Sequence, residues 1–329
     1  MIGAAVVGLG VGEAHAHAYA ADPRTDLRWV HDLDAERARR VADELGARVA
    51  SSYEEILSDA ETSVVSIASF DDAHFEQTIG ALESGKHAFV EKPLCRTVDE
   101  ARTVKRAWEA AGRPALASNL VLRGAPLYVW LREEVSGGAL GAPYAFDGDY
   151  LYGRLHKITE GWRSEVEDYS VMLGGGIHLV DLMLWLTGQR PARAAASGNR
   201  ISTDGTAFRY DDFVAATFEF DSGLVGRVTA NFGSVHAHRH VVRLFGTDGT
   251  FITDDVGARL HTSREPTERP RPIDLAAEPE GKGGLVAGFL DAVEANGDAG
   301  TQHELDVVCV CAAADRALAE RTIVGVDYA

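Results

Sequence analysis

Three short stretches carry side chains that could do chemistry. The first is AAVVGLGVGEAHAHAY (4–19), in which Gly8, Gly10 and Gly12 crowd the end of an apolar run. Glycines there permit a tight turn and let backbone N–H groups at a helix N-terminus approach a pyrophosphate. Asp32 lies 20 residues past Gly12, at the end of the next strand pattern, where a carboxylate can accept hydrogen bonds from an adenosine ribose. An unpaired carboxylate at that point repels a 2′-phosphate, and Leu33 adds no positive charge, so NAD is expected in preference to NADP. The second stretch is GKHAFVEKPLCRTVDEA (85–101), where Glu91-Lys92-Pro93 closes a strand pattern at its carboxyl end, the end at which open α/β sheets hold ligands. The third is LGGGIHLVDLMLWLTG (173–188), an apolar helix interrupted by His178 and Asp181. Residues at i and i+3 share a helix face, and an imidazole titrates near neutrality, as proton transfer requires. A satisfied core histidine is the competing reading of His178 taken alone.

These residues need elements to position them. Over the first 120 residues, strand and helix patterns alternate: IGAAVVG (2–8), LRWVHD (27–32), ETSVVSIAS (61–69) and KHAFVEK (86–92) read as strands. LDAERARRVADELG (33–46) reads as a helix with Asp34 as N-cap and Gly46 as C-cap, and HFEQTIGALESGK (74–86) as another. This alternation predicts a Rossmann-type doubly wound parallel sheet in domain 1–120. The rhythm breaks between Pro114 and Pro126. Afterwards PARAAASGNRIS, DFVAATFEF, LVGRVTANFGS and RHVVRLFGTDG follow one another with turn signals between them. Domain 121–329 is therefore expected to be α+β with an open, mostly antiparallel sheet and a C-terminal helix at about 303–319. The Pro/Gly-rich stretch 265–284 reads as a surface loop.

Composition narrows the function. With 46% hydrophobic and 25% charged residues the chain is an ordinary globular protein, and its net charge of −18 argues against nucleic acid or an anionic membrane as partner. Three cysteines, Cys95, Cys309 and Cys311, are too few and too irregularly spaced for a disulfide framework or a thiolate metal site. No membrane span or signal peptide is legible, so a cytoplasmic protein is expected. HAHRH places His236, His238 and His240 alternately, on one face of a strand. No carboxylate or cysteine nearby completes a ligand set, and no metal is expected; a sheet face or subunit interface fits better.

The order of glycine turn, Asp32, ASFDDAH (68–74), EKP and an H-x-x-D helix resembles the glucose–fructose oxidoreductase / inositol dehydrogenase / rhizopine-catabolism (Gfo/Idh/MocA) family over essentially the whole chain. The resemblance implies NAD as cofactor, with Gly8, Gly10, Gly12, Asp32, Ser69, His74, Glu91 and Lys92 around it. It implies that Lys92 stands beside the reacting hydroxyl and that His178 is the acid/base, with Asp181 the acid that follows it. Trp162-Arg163 resembles the family's WR, and Asn119 with Arg123 its N-x-x-x-R entry to the second domain; Trp162, Arg163 and Asn119 are expected at the substrate. The implied activity is transfer of hydride between the nicotinamide and a secondary hydroxyl or ketone of a sugar, cyclitol or sugar derivative. The family's oligomers imply a homodimer or homotetramer through the second domain's sheet. Two other activities stay open on the same fold: glycoside cleavage through transient oxidation, and NAD-binding regulation without catalysis.

The sequence departs from the family at one informative place. An aspartate usual four residues before the histidine is replaced by Gly174. Tyr169 or Asp168 is the candidate to supply a replacement hydroxyl or carboxylate. Upstream, DYLYGRLHKITEGWR (149–163) clusters Arg154, His156, Lys157 and Arg163 among aromatic residues in an otherwise acidic chain. Arg154 and Lys157 are expected to favour an anionic or large polyhydroxyl substrate, such as a sugar phosphate or nucleotide-linked sugar.

Overall fold

A computed structural model describes all 329 residues. Its chain divides into two compact units: Met1–Gly124 with Pro279–Val308 and Ala329, and Ala125–Glu278 with Cys309–Tyr328. A single cut at 120/121 therefore does not describe the architecture, because residues 279–308 return to the first unit.

The first unit holds six parallel strands, β1 (Ile2–Val7), β2 (Thr25–His31), β3 (Arg48–Val49), β4 (Val64–Ile67), β5 (His87–Val90) and β6 (Leu116–Ser118), in the order 3-2-1-4-5-6. Between them run α1 (Gly12–Ala21), α2 (Ala35–Leu45), α3 (Tyr53–Ser58), α4 (His74–Glu83) and α5 (Val98–Ala110). β1 and β4 are almost wholly buried, which is why they read as unbroken apolar runs rather than alternating ones. The strand order reverses between β1 and β4, and ligands of such sheets bind at the carboxyl ends on either side of that point. The expected caps of α2 are present: the Asp34 carboxylate accepts from the N–H groups of Glu36 and Arg37, and Gly46 is left-handed at φ 72°. A later helix supplies part of this unit's core, where Val286, Phe289 and Leu290 pack with Ala4, Val6, Val30 and Phe89.

The second unit is built on nine strands: β7 (Pro143–Leu151), β8 (Pro191–Asn199), β9 (Phe213–Phe220), β10 (Val225–Asn231), β11 (Arg239–Gly246), β12 (Thr250–Asp254), β13 (Gly257–His261), β14 (Arg271–Ile273) and β15 (Val324–Gly325). They lie in the order 14-13-12-11-7-10-9-8-15. Every pairing is antiparallel except β7 with β10, which is parallel. The helices of this region are α6 (Pro126–Ser136), a short α7 (His156–Thr159) and α8 (Ile177–Thr187). After them come α9 (Val286–Glu294), the helix that completes the first unit's core, and the C-terminal α10 (Thr301–Glu320). α8 is buried on almost every side, so its lack of a polar face reflects a helix with no solvent side. It lies close on β7: a Cβ on Gly148 would stand 3.1 Å from Leu179. The loop expected at 265–284 contains β14. The strand expected to carry three histidines begins only at Arg239, so His236 and His238 precede it and His240 alone is within it.

Candidate functional site

In the first unit the glycine turn has two jobs divided among its residues. Gly8 has φ 81°, and a Cβ there would stand 2.4 Å from the Ala68 carbonyl oxygen. Gly10 has neither constraint: nothing lies within 4 Å of where its Cβ would be. Its backbone is open to close approach, the property a dinucleotide pyrophosphate uses. Asp32 fixes this turn from the end of β2, accepting from the Leu9 N–H at 2.6 Å and the Asp34 N–H at 2.8 Å. It is not the unpaired carboxylate expected, because the Arg37 guanidinium stands 3.5 Å away.

Beyond β4, Ser69 donates to the Gln77 side-chain oxygen at 2.6 Å, and its own carbonyl faces His74 Nε2 at 3.2 Å. His74 is fully buried, and its Nδ1 lies 2.7 Å from the Pro93 carbonyl oxygen. Ser69 and His74 thus brace the turn that carries Lys92, whose peptide bond to Pro93 is cis. Glu91 is buried beneath that turn. Asn119 donates to its Oε1 at 2.7 Å, His15 Nε2 is 3.3 Å from the same oxygen, and the Lys92 N–H meets its Oε2 at 3.2 Å. Burial alone would push this carboxyl up; His15, Asn119 and the Lys92 charge outweigh it and hold it at about 2. Asn119, expected at the substrate, spends its amide N–H groups on Glu91 and on the Lys282 carbonyl, and its Oδ1 is buried without a hydrogen-bond partner. Arg123 donates to the Glu304 carboxylate at 2.8 Å.

In the second unit His178 begins α8 at 7% exposure. Its ring centre lies 5.8 Å from that of His240 and 6.3 Å from that of Tyr150. His240 in turn neighbours His238 at 5.0 Å, faces the Glu278 carboxylate through Nδ1 at 3.4 Å, and has a buried Nε2 with no partner. Burial, then the charges of His240 and Arg154, press His238 down to about 4, so it is neutral at pH 7. The third histidine of the motif, His236, turns away to the Asp255 carboxylate at 3.1 Å. Asp181 is fully buried, and its charge reaches Cys311 of α10.

The departure at Gly174 has a physical counterpart. Residues Met172–Gly176 form a π-helical turn before α8, and a Cβ at 174 would stand 2.2 Å from the Tyr169 hydroxyl. Tyr169, not the exposed Asp168, occupies the space a side chain at 174 would need. Arg163 Nε donates to that hydroxyl at 3.0 Å, and its guanidinium stacks 4.5 Å from the Trp162 ring centre. Trp162, Arg163 and Tyr169 are therefore in contact with one another, whereas Arg154 is exposed on the preceding loop and Lys157 is exposed on α7. The turn is also tied to α10: Ser170 Oγ donates to Asp315 at 2.9 Å while accepting from the Leu173 N–H at 3.1 Å. Burial pushes the Asp315 carboxyl up to about 7, against that hydrogen bond.

Sequence reasoning did not single out His15, and it read His238 and His240 only as part of a sheet face or subunit interface. His15 sits three residues past the glycine turn in a run already quoted for its glycines. His240 was visible in HAHRH, but its nearness to Tyr150 depends on the β7–β11 register, which pairs His240 with Tyr150.

A 3-2-1-4-5-6 sheet, a glycine turn with one open residue and an acid at the end of β2 define a doubly wound dinucleotide-binding protein. Residues 2–118 match the oxidoreductase family with an NAD-binding Rossmann fold, and residues 128–252 match the GFO/IDH/MocA C-terminal domain. The inositol 2-dehydrogenase of Rubrobacter xylanophilus is 30% identical over 252 residues, 76% of this chain and 70% of that protein. The UDP-N-acetylglucosamine 3-dehydrogenase of Acidithiobacillus ferrooxidans is 29% identical over 301 residues, 88% of each chain. The 1,5-anhydro-D-fructose reductase of Ensifer adhaerens is 29% identical over 228 residues, 68% of this chain and 66% of that protein. Among solved structures, a levoglucosan dehydrogenase complex with NADH and L-sorbose superposes with a TM-score of 0.87 at 21% identity, covering 100% of this chain and 99% of that one. The chain belongs to the Gfo/Idh/MocA family of NAD-binding oxidoreductases. No helix is long and apolar enough to cross a membrane.

Proposed function

We propose that the protein is an NAD(H)-dependent dehydrogenase or reductase acting on a secondary hydroxyl or ketone of a sugar, cyclitol or sugar derivative. The observation that carries this reading is that the first unit holds an open glycine turn and a braced Lys92, and that the second holds a buried His178 beside His240 and Tyr150. Bound NAD supplies the hydride acceptor. The chain fits it through the open Gly10 backbone and the Asp32 carboxylate. Lys92 donates to the substrate oxygen as charge develops on it, and His178 takes the hydroxyl proton during oxidation or returns it during reduction. Arg163 and Trp162 hold Tyr169 where its phenol serves a second hydroxyl, in place of a side chain at 174.

Relatives named for inositol, an anhydro-sugar and a nucleotide sugar support a polyhydroxylated substrate. The exposed Arg154 and Lys157 favour one with an anionic group. The buried cysteines, none of them in a disulfide, suit a reducing cytoplasm, and the open nine-stranded sheet suits assembly as a homodimer or homotetramer.

The test is a panel of myo-inositol, levoglucosan, D-glucosides and UDP-N-acetylglucosamine with NAD or NADP, and 1,5-anhydro-D-fructose with NADH or NADPH, followed by nicotinamide absorbance. Lys92→Ala should leave only a small residual turnover while NAD affinity stays within a few-fold; full activity in that variant sinks the mechanism. An Arg154→Ala, Lys157→Ala variant should lose its preference for the anionic substrate. An unchanged preference removes that part of the reading.

A further inference from the structure

We infer that His15 is a positioning residue for Lys92, acting through Glu91 and carrying its proton on Nε2. The inference rests on the role proposed for Lys92. Its basis is proton accounting. The Asn119 amide nitrogen owns two N–H bonds. It lies 2.7 Å from Glu91 Oε1 and 2.8 Å from the Lys282 carbonyl oxygen, and both of those atoms can only accept. The same nitrogen is 3.0 Å from His15 Nε2, but no third proton is left for that contact. Turning the amide over would press Oδ1 against both oxygens. Nε2 also stands 3.3 Å from Glu91 Oε1, so the proton facing that carboxylate belongs to the imidazole. Nδ1 then meets the Ser66 hydroxyl at 2.8 Å.

The consequence is mechanical. Ser66 in β4, His15 in α1, Glu91 after β5, Asn119 after β6 and the Lys282 carbonyl form one buried network at the carboxyl edge of the sheet. His15, Ser66 and Asn119 are fully buried, and the edge of the His15 ring rests on Phe89 with 5.2 Å between centres. A buried carboxylate deprived of a donor takes up a proton or swings toward water. Glu91 does neither while His15 and Asn119 hold Oε1, and so Oε2 stays on the Lys92 N–H. The imidazole fixes the carboxylate that fixes the peptide from which the Lys92 side chain springs.

Two measurements on the 329-residue protein test this. In protein labelled with ¹⁵N-histidine, long-range proton–nitrogen correlations at pH 7 should show His15 with Nε2 protonated; an Nδ1–H tautomer overturns the inference. Turnover of NAD with the most active alcohol of the panel is then compared for His15→Leu and His15→Gln, alone and with Lys92→Ala. His15→Leu should lower kcat about 10- to 100-fold, the worth of one hydrogen bond to a charged group, and move the KM for NAD less than about threefold. His15→Gln keeps an N–H near the place of Nε2 and should recover most of the loss. In the Lys92→Ala background neither substitution should matter by more than about twofold. A His15→Gln variant no better than His15→Leu, or an undiminished effect without Lys92, refutes the positioning role. Full activity of Lys92→Ala by itself refutes the function reading instead and leaves the tautomer to be judged by its own spectrum.

Discussion

Glu91→Gln perturbs the network at its centre. The substitution keeps shape but removes a buried charge and turns one acceptor into an N–H group. Both ends of the native carboxylate face donors: Asn119 and His15 at Oε1 and the Lys92 N–H at Oε2. Whichever way the glutamine lies, one end sets donor against donor. The native carboxyl sits at about 2 against an ordinary 4.5, although burial alone would raise it. At about 1.4 kcal/mol per tenfold change in proton affinity, that interval amounts to on the order of 3 kcal/mol of folding stability. Because the folded value is the lower one, the unfolded chain binds more protons between about 2 and 4.5. The contribution is complete at neutral pH and drains away as pH falls through that window. Urea unfolding of parent and variant, with hydrogen–deuterium exchange of peptides covering 86–95 to read the first unit by itself, should give a gap of about 3 kcal/mol at pH 7. The gap should narrow to roughly half by pH 3. A variant as stable as the parent at pH 7, or a gap that widens as pH falls, would show that Glu91 is not held ionised by its neighbours.

Gly174→Ala drives a methyl group to 2.2 Å from the Tyr169 hydroxyl and should cost about 1–3 kcal/mol in thermal or urea unfolding. Adding Tyr169→Ala should relieve the clash, so a Gly174→Ala variant that matches the parent disproves the steric account. Asp32→Asn removes the negative charge beside the Arg37 guanidinium but keeps an oxygen for the Leu9 N–H. The ratio of kcat/KM for NAD to that for NADP should fall at least about tenfold. An unchanged ratio would mean that the Asp32 charge does not govern the choice.

Much of the first unit was legible because its signals are local. Strand, glycine turn, helix and acid follow within 32 residues, and the N-cap Asp34 and C-cap Gly46 act within one helix. EKP could be placed for the same reason, as the tail of one apolar run. What stayed hidden depends on contacts between distant residues. His15 meets Ser66 across 51 positions and Asn119 across 104, and nothing in the helix pattern of α1 marks its imidazole as different from that of the exposed His17. His240 reaches the neighbourhood of His178 only through the pairing of β11 with β7, and alternation alone misplaced His236 and His238 on the same strand. Gly174 was recognised as a departure from the family, but that Tyr169 fills its space is a matter of side-chain volume, which spacing does not encode. Asp32 was read correctly as an acid at the end of β2 and incorrectly as unpaired, since Arg37 lies on the following helix turn.

The return of residues 279–308 to the first unit bears on how the chain is made. Val286, Phe289, Leu290 and Val293 belong to the same apolar core as Ala4, Val6 and Phe89. A ribosome that has finished β6 has therefore delivered all six parallel strands but not the helix that completes their packing. The nascent sheet must wait, partly uncovered, while eight of the second unit's nine strands, β7 to β14, are synthesised. A fragment ending at Gly124 would carry the glycine turn and Lys92 yet expose the apolar surface that α9 covers. Asn119 would also lose the Lys282 carbonyl it binds. The exposed interval falls during synthesis, when aggregation and chaperone capture compete with folding. The strands of the cofactor half precede the nine-stranded sheet along the chain, and the helix that completes their packing follows most of it.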